Sequence, residues 1–191
     1  MKPMISAVIL SVASWVFQAN SVAQASPYAA MPLPTLQAAA LAGDVHAQFF
    51  LANRYKAGQG VPQDVNQAFA WYLKAAQLGA APAQLNVGQM YAQGRGVNRD
   101  MAQAKQWLQR AAKQGDNRAS YNLALLEERE QNLSDAYKWY DVSTRDGMLD
   151  QQVKSLAQTK IRQLAVNLSS QDQTNATKRA DDWFTSPAPR N

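Results

Sequence analysis

Residues 47–79 read AQFFLANRYKAGQGVPQDVNQAFAWYLKAAQLG, and residues 83–115 read AQLNVGQMYAQGRGVNRDMAQAKQWLQRAAKQG. The two stretches align without a gap at a spacing of 36 residues. A third stretch, ASYNLALLEEREQNLSDAYKWYDVSTRDG at residues 119–147, begins on the same spacing but is four residues shorter in its middle. A fixed period in this range is typical of stacked helical repeats, in which no single unit buries its own apolar face. The sequence therefore predicts an all-α solenoid.

Each unit is predicted to consist of a helix A, a loop and a helix B. Glycine pairs in the loops supply the positive φ that ends helix A, and an Asp followed three residues later by Gln predicts a capping box at the start of helix B. Helix B then ends at another glycine, and its tryptophan is a predicted core residue. The positions that carry this pattern are Gly58, Gly60, Asp64, Gln67, Trp71 and Gly79, then Gly94, Gly96, Asp100, Gln103, Trp107 and Gly115, then Asn132, Asp135, Trp139 and Gly147.

The pattern also divides the rest of the chain. A half repeat consisting of one helix, capped by Thr35, is predicted ahead of the first unit, and three prolines in SPYAAMPLP predict an extended arm before it. The resulting segments are a signal peptide 1–25, a Pro-rich arm 26–34, a repeat array 35–168 (half repeat 35–46, repeats 47–82, 83–118 and 119–150, divergent helix 150–168), a C-terminal capping helix 169–184 and a flexible tail 185–191.

The first 25 residues have the composition of a secretory leader. Lys2 supplies the positive start, residues 5–17 are apolar apart from small serines, and Ala23 and Ala25 both end small-x-small cleavage motifs. The apolar run is too short to span a bilayer comfortably, although a retained membrane anchor is the alternative. We expect cleavage after Ala23 or Ala25, no membrane span in the mature chain, and a periplasmic or secreted protein.

Composition excludes several classes of protein. A chain of 191 residues with 47% hydrophobic and 17% charged residues suits one folded domain and is not typical of a disordered protein. The formal net charge is +5, but the basic residues are dispersed, so nucleic acid is not a predicted partner. The chain has no cysteine, which excludes disulfides, thiolate metal sites and a cysteine nucleophile.

The pattern A-x-x-x-L-(A/G)-x-x-Y-x-x-G-x-G-V-x-x-D-x-x-x-A-x-x-W-(Y/L)-x-x-A-A-x-x-G resembles the Sel-like repeat, a relative of the tetratricopeptide repeat. The first two units match it at nearly every position, whereas the third has a truncated loop, Glu127 in place of the tyrosine, and Ser143 and Thr144 in place of the alanine pair. The resemblance implies a right-handed α-solenoid that acts as a protein–protein scaffold or adaptor, often in the bacterial cell envelope, and not as an enzyme.

Few residues suggest catalysis or the binding of a metal or cofactor. His46 is the single histidine, and no second histidine or spaced acid pair accompanies it, so neither a catalytic residue nor a metal site is predicted. Glu127, Glu128 and Glu130 form an acidic cluster next to Arg129, which we interpret as a surface feature and not as a hydrolytic pair. The G-x-G pairs follow helices and lack the rest of a phosphate-binding loop, so no cofactor is predicted.

A binding surface is the remaining candidate. If the units follow the tetratricopeptide register, the A helices line the concave side, with an apolar row and a polar row that suit an extended peptide. The alternative is that the apolar row packs against the B helices as core. The residues predicted to contact a partner are Phe49, Leu85 and Tyr121 in the apolar row, Asn53 and Gln89 in the polar row, and Leu125 and His46 beside them.

The partner is predicted to be another protein or a peptide, and the resemblance leaves its role open. An envelope regulator, an adaptor in cell-wall or polysaccharide assembly, and an immunity protein against a toxic effector are all compatible with it. A peptidoglycan or polysaccharide binder and a cell-wall enzyme are the rival classes. The sequence predicts no oligomeric state.

Overall fold

The computed structural model describes residues 26–145 and 151–185. These ranges contain ten helices and no strand, which confirms the predicted all-α fold. The predicted leader with Ala23 and Ala25, Gly147, and the tail after residue 185 lie outside them. The helices are α1 Pro27–Ala30, α2 Leu33–Leu41, α3 Val45–Ala57, α4 Val65–Gln77, α5 Ala81–Gln93, α6 Met101–Lys113, α7 Asn117–Arg129, α8 Leu133–Arg145, α9 Gln151–Ala165 and α10 Ser170–Thr185.

The helices form an α-solenoid of helix pairs. The A helices α3, α5 and α7 each pack on the B helix that follows them, which are α4, α6 and α8, and each of α4 and α6 packs on the next A helix. Periodic alanines such as Ala47, Ala83 and Ala119 are fully buried, because a small side chain lets neighbouring helices approach closely. At Gly88 the approach is closer still: a Cβ atom there would lie 2.7 Å from Leu108 Cγ.

The helix ends follow the predicted local chemistry. Gly58 and Gly94 end the A helices in the left-handed conformation, with φ of 71° and 67°. The Asp64 carboxylate accepts hydrogen bonds from the backbone N–H groups of Asn66 and Gln67, and the Asp100 carboxylate accepts one from Gln103. The aspartate half of each predicted capping box is therefore formed.

The short loop of the third repeat keeps one backbone hydrogen bond of the longer loops. In the first two repeats the N–H of the capping aspartate donates to the tyrosine carbonyl of helix A, from Asp64 to Tyr55 over 2.9 Å. In the third, Asn132 N–H donates to the carbonyl of Glu127 over 2.9 Å. The turn contains Gln131 at φ 64°, a conformation that few residues other than glycine adopt. The deletion therefore shortens the loop but keeps the hydrogen bond that joins the start of helix B to helix A.

The N-terminal segment differs from the prediction in two ways. The Pro-rich arm is not extended, because Pro27–Ala30 form the short helix α1, which packs on α3. Thr35 does not cap the half repeat, because α2 begins at Leu33 and Pro32 is its N-cap. Proline at the first helical positions needs no N–H partner and has its φ already set, so the prolines start these helices instead of excluding them.

The two C-terminal helices both pack on α8, and α9 also contacts α7. The Trp183 ring of α10 packs edge-to-face on Trp139 of α8 with ring centroids 4.7 Å apart, and the Lys113 ammonium donates to the Trp183 carbonyl over 2.7 Å. Trp107 and Trp139 are buried as predicted, while Trp71 of the first repeat is half-buried. Trp183 thus helps to hold the last helix on α8, together with the buried Ala176 and Ala180 and the ion pairs of Asp181 with Arg145 and of Arg179 with Asp135.

A buried glutamine joins consecutive repeats. Gln48 and Gln84 lie 36 residues apart, and each donates its amide to the carbonyl at the end of the preceding helix, Ala40 or Ala76, over 3.2 Å. Gln114 donates to Gln84 Oε1 over 2.8 Å, whereas Gln48 Oε1 has no hydrogen-bond partner within the described part of the chain. The residue 36 positions before Gln114 is Leu78, which cannot donate.

We expect Leu78→Gln to raise the free energy of unfolding by about 1 kcal/mol, the usual net contribution of a hydrogen bond. Leu78 is 57% exposed, so its loss costs little, and its backbone (φ −83°, ψ 7°) matches that of Gln114 (φ −91°, ψ 9°). Urea unfolding followed by circular dichroism measures the gain. Leu78→Ala is the control, and a Leu78→Gln variant no more stable than Leu78→Ala would contradict the prediction.

Candidate peptide-binding face

The A helices leave two adjacent clefts on their outer surface. One cleft of about 110 Å³ lies between α3 and α5, and another of about 140 Å³ lies between α5 and α7. Gln89 and Gln93 of α5 line both, so the two clefts share a wall and together reach three repeats. The first is lined by Lys56, Val65, Asn86, Gln89, Met90, Gln93 and Arg95, and the second by Gln89, Ala92, Gln93, Leu108, Asn122, Leu125, Leu126 and Arg129.

Four carboxamide side chains, Asn86, Gln89, Gln93 and Asn122, run across these clefts, and we call them the amide strip. Asn86 and Asn122 occupy the same position in successive repeats, and each donates its amide to the carbonyl four residues earlier, over 2.8 Å and 2.7 Å. Their oxygens accept from the preceding repeat, Asn86 from Lys56 over 3.1 Å and Asn122 from Gln89 over 3.3 Å. Three of the four side chains are therefore held in place before any partner binds.

The charged residues that line the two clefts are all basic: Lys56, Arg95 and Arg129. Glu128 of α7, the residue before Arg129, is already paired. It accepts from Tyr140 Oη over 2.6 Å and from Lys160 Nζ over 2.9 Å. Burial raises the pKa of Glu128, but the hydrogen bonds from Tyr140 and Lys160 and the charge of Lys160 lower this pKa below its ordinary value overall. Glu128 thus stays ionised and neutralises the charge of Lys160, not the charges of the basic residues that line the clefts.

The predicted apolar row packs largely between the helices. Leu85 is 6% exposed, so its prediction as an open groove residue is wrong. Phe49 and Tyr121 are half-buried, with their rings packed on Tyr72 and Tyr140 at centroid distances of 5.7 Å and 5.3 Å. The row is covered because each A helix contacts its own B helix and the helices of the next repeat, and this position faces that junction.

The remaining predicted residues separate into three places. Gln89 and Leu125, which is 37% exposed, line the clefts. Asn53 is half-buried, and its oxygen accepts from the Tyr72 hydroxyl, whose pKa is raised by burial. His46 is exposed and lies with Phe49 at a separate cleft near the start of α5, where its ring stacks on Tyr28. The structure therefore brings only two of the seven residues to the clefts.

The prediction missed Asn86, Asn122 and Arg129. A signal for two of them was present, because Asn86 and Asn122 are identical residues 36 positions apart at a place where nothing in the core needs an amide. Gln93 and Arg129 share the next register position that points the same way. Spacing by 36 residues was thus a better guide to this face than apolar character.

The N-terminal arm covers the outer surface of α3. The Tyr28 hydroxyl donates to Asp44 Oδ2 over 2.7 Å, and the Tyr28 ring also stacks on Phe50. Arg54 donates to the carbonyls of Ala29 and Met31. The pKa of Asp44 is lowered, first by the backbone N–H of Ala47 and then by Tyr28. The arm therefore closes the N-terminal end of the face, and the clefts start one helix further along.

The acidic cluster has structural partners. Glu127 is 8% exposed, and its carboxylate pairs with Lys105 over 2.8 Å and accepts from Asn132 over 2.9 Å. These contacts join α6 to the turn between α7 and α8. Residues 26–145 and 151–185 contain no group of three or more His, Cys, Asp or Glu side chains placed to hold a metal ion. In the same ranges, no helix combines the length and the apolar character that crossing a membrane requires.

Comparison with known proteins agrees with this architecture. The Sel1 repeat family model matches residues 45–79, 81–116 and 117–147. A crystal structure of a Sel1 repeat protein from Oxalobacter formigenes is similar, with 34% identity, a TM-score of 0.56, and coverage of 69% of this chain and 97% of that one. A protective antigen of uropathogenic Escherichia coli with an SLR fold matches at 22% identity and a TM-score of 0.49, over 81% of this chain and 40% of its own. No curated protein matches the sequence.

Proposed function

This chain belongs to the Sel1 repeat family, whose members generally act as protein–protein interaction scaffolds, and we propose that it holds an extended segment of another protein against the amide strip. The observation that supports this most is the amide strip itself. Carboxamides both donate and accept hydrogen bonds, so they can pair with the N–H and C=O groups of any peptide backbone. An extended peptide offers those groups along its whole length.

Two further features favour a polypeptide over a small ligand. The clefts, about 110 Å³ and about 140 Å³, are smaller than the roughly 300–1,000 Å³ of an ordinary small-molecule site, so each suits a single side chain. Asn86, Gln89 and Asn122 are already held by hydrogen bonds, which lowers the entropy that binding would cost. Leu125 adds an exposed apolar contact between these polar groups.

We further propose that the mature protein works outside the cytoplasm. Lys2, the apolar residues 5–17 and the small-x-small motifs ending at Ala23 and Ala25 support export through a cleaved leader. An envelope regulator, an adaptor and an immunity protein are all roles that such a location allows. The mass of the chain recovered from the exported fraction tests this, since it should begin at Gln24 or Ser26, and a full-length chain retained in the cytoplasm would contradict it.

A photoreactive amino acid placed at Gln93 tests the binding face. In cells of the source organism we expect a crosslink from Gln93 to one other protein, and none from Gln109, an exposed glutamine of α6 that lines neither cleft. Adding Asn86→Ala with Asn122→Ala should lower the yield about 30-fold, since two hydrogen bonds of about 1 kcal/mol each would be lost. Crosslinking from Gln109 instead, or a yield that the two alanines leave unchanged, would contradict the proposed function.

A further inference from the structure

We propose that the segment bound along the amide strip is acidic, with Asp or Glu side chains spaced about three residues apart along an extended peptide. This inference rests on the proposed function and adds the chemistry of the partner. It is carried by the distribution of charge around the two clefts.

The three cations that line the clefts form no ion pair with any carboxylate among the described residues. Arg95 and Arg129 are exposed, and neither forms an ion pair in residues 26–145 or 151–185. The Lys56 ammonium donates to the neutral Asn86 amide and lies 5.9 Å from the Tyr72 ring centroid, and it pairs with no carboxylate among the described residues. Three cations therefore surround neutral carboxamides at an open surface.

The acids on the surrounding elements have other partners. Glu128 of α7 pairs with Lys160 of α9 over 2.9 Å, and Asp116 at the start of α7 pairs with Arg118 over 2.8 Å. Asp64 and Asp100 at the starts of α4 and α6 accept from backbone N–H groups of their own helices. No carboxylate among the described residues lines either cleft. An acidic guest would thus supply the negative charge that this surface lacks.

The placement of the three cations sets the expected spacing of the acidic residues along the bound peptide. Lys56 and Arg95 border the cleft between α3 and α5, and Arg129 borders the cleft between α5 and α7. Packed helices lie about 8–10 Å apart, a distance that an extended chain covers in about three residues at 3.3 Å each. Arginine recognises carboxylates through paired N–H donors, and such charge contacts add specificity and speed of association.

Fluorescence anisotropy with defined peptides tests the inference. The probes are three fluorescein-labelled twelve-residue peptides in which every third residue is Glu, Gln or Lys and the others are Val and Ser. We expect the Glu peptide to bind the full chain at least tenfold more tightly than the Gln peptide at low salt, and the difference to shrink at high salt because ions screen exposed charges. Equal or tighter binding of the Gln or Lys peptide would overturn the inference.

Matched variants show which cations cause the preference for the Glu peptide over the Gln peptide. Arg95→Gln with Arg129→Gln should bring the affinity for the Glu peptide down to that for the Gln peptide. Lys74→Gln with Arg110→Gln removes the same charge from exposed cations that stack on Trp71 and Trp107 of the B helices, and should leave that affinity within about twofold. An equal loss in both double variants, each with unchanged circular dichroism, would overturn the inference.

Two outcomes separate this inference from the proposed function. If the Glu and Gln peptides bind equally and Asn86→Ala with Asn122→Ala weakens both, the face binds peptides without preferring acids, and only the inference fails. If no peptide binds and Gln93 gives no crosslink in cells, both fail. A twelve-nucleotide single-stranded DNA is the remaining probe, and tighter binding of it than of the Glu peptide through the same arginines would also overturn the inference.

Discussion

Replacing Gly96 by alanine is expected to destabilise the protein by about 2–5 kcal/mol, because two costs add. Gly96 has φ 72°, a left-handed conformation that costs an alanine about 1–2 kcal/mol. A Cβ atom there would also lie 2.4 Å from the Val65 carbonyl oxygen and 2.9 Å from its carbon, at the first residue of α4. Both are backbone atoms, so the clash cannot be relieved by a side-chain rotation, and overpacking adds about 1–3 kcal/mol or more.

Gly60→Ala is the matched control, because Gly60 is the same position of the first repeat. Its φ is 73°, and a Cβ atom there would have no neighbour within 4 Å, so only the conformational cost of about 1–2 kcal/mol applies. Urea unfolding of both variants measures the difference. Equal losses of stability would show that the contact between the second loop and α4 is not the cause.

Trp139→Ala is expected to cost about 3–5 kcal/mol, the range for removing a large aromatic side chain from a core. Trp139 is 3% exposed, its ring packs against Trp183, and the Lys138 ammonium lies 4.2 Å from its ring centroid. Its removal leaves a cavity and takes away the ring on which α10 packs. Because each unit of a repeat array is supported by its neighbours, we expect α10 to open first.

Hydrogen exchange together with urea unfolding tests this expectation. In Trp139→Ala the amides of α10 should lose protection, while the amides of α3 and α4 keep theirs. Trp71→Ala alters the same repeat position in the first unit, where the ring is half-buried, and should cost less and leave α10 protected. If both variants lose the same stability, or if α10 stays protected in Trp139→Ala, the proposed anchoring by Trp183 is wrong.

The helices of the repeats were predictable because their ends depend on near neighbours in the chain. An aspartate carboxylate that accepts from Gln67 or Gln103 N–H, and a glycine such as Gly58 at positive φ, act over three or four residues. The same local reasoning failed at the N-terminus. The Pro-rich arm was predicted as extended, yet it folds into α1 because Tyr28 and the carbonyls of Ala29 and Met31 find partners on α3.

The candidate site was less predictable. Leu85 was expected at the surface because its register position matches Phe49 and Tyr121, but the burial of that position depends on how closely the next repeat packs. Asn86 and Asn122 share a repeat position in the sequence, but the bonds that hold them to the carbonyls four residues earlier are seen only in the structure. The basic character of the clefts also required the structure, since it depends on Glu128 turning to Lys160.

By itself, the sequence determined the period, the helix pairs, their caps and the family of the fold, because each of these depends on contacts between residues close in the chain. Gly60 and Gly96 mark the limit of that reasoning. Both adopt the left-handed conformation that the glycine pattern predicts, yet only Gly96 lies against the backbone of the preceding repeat. The tertiary structure alone decided this, as it decided that Leu85 is core and that Arg95 and Arg129 border clefts. Such contacts depend on which unit stands next in the array, and among the described residues only α1 and α2 stand before the first repeat.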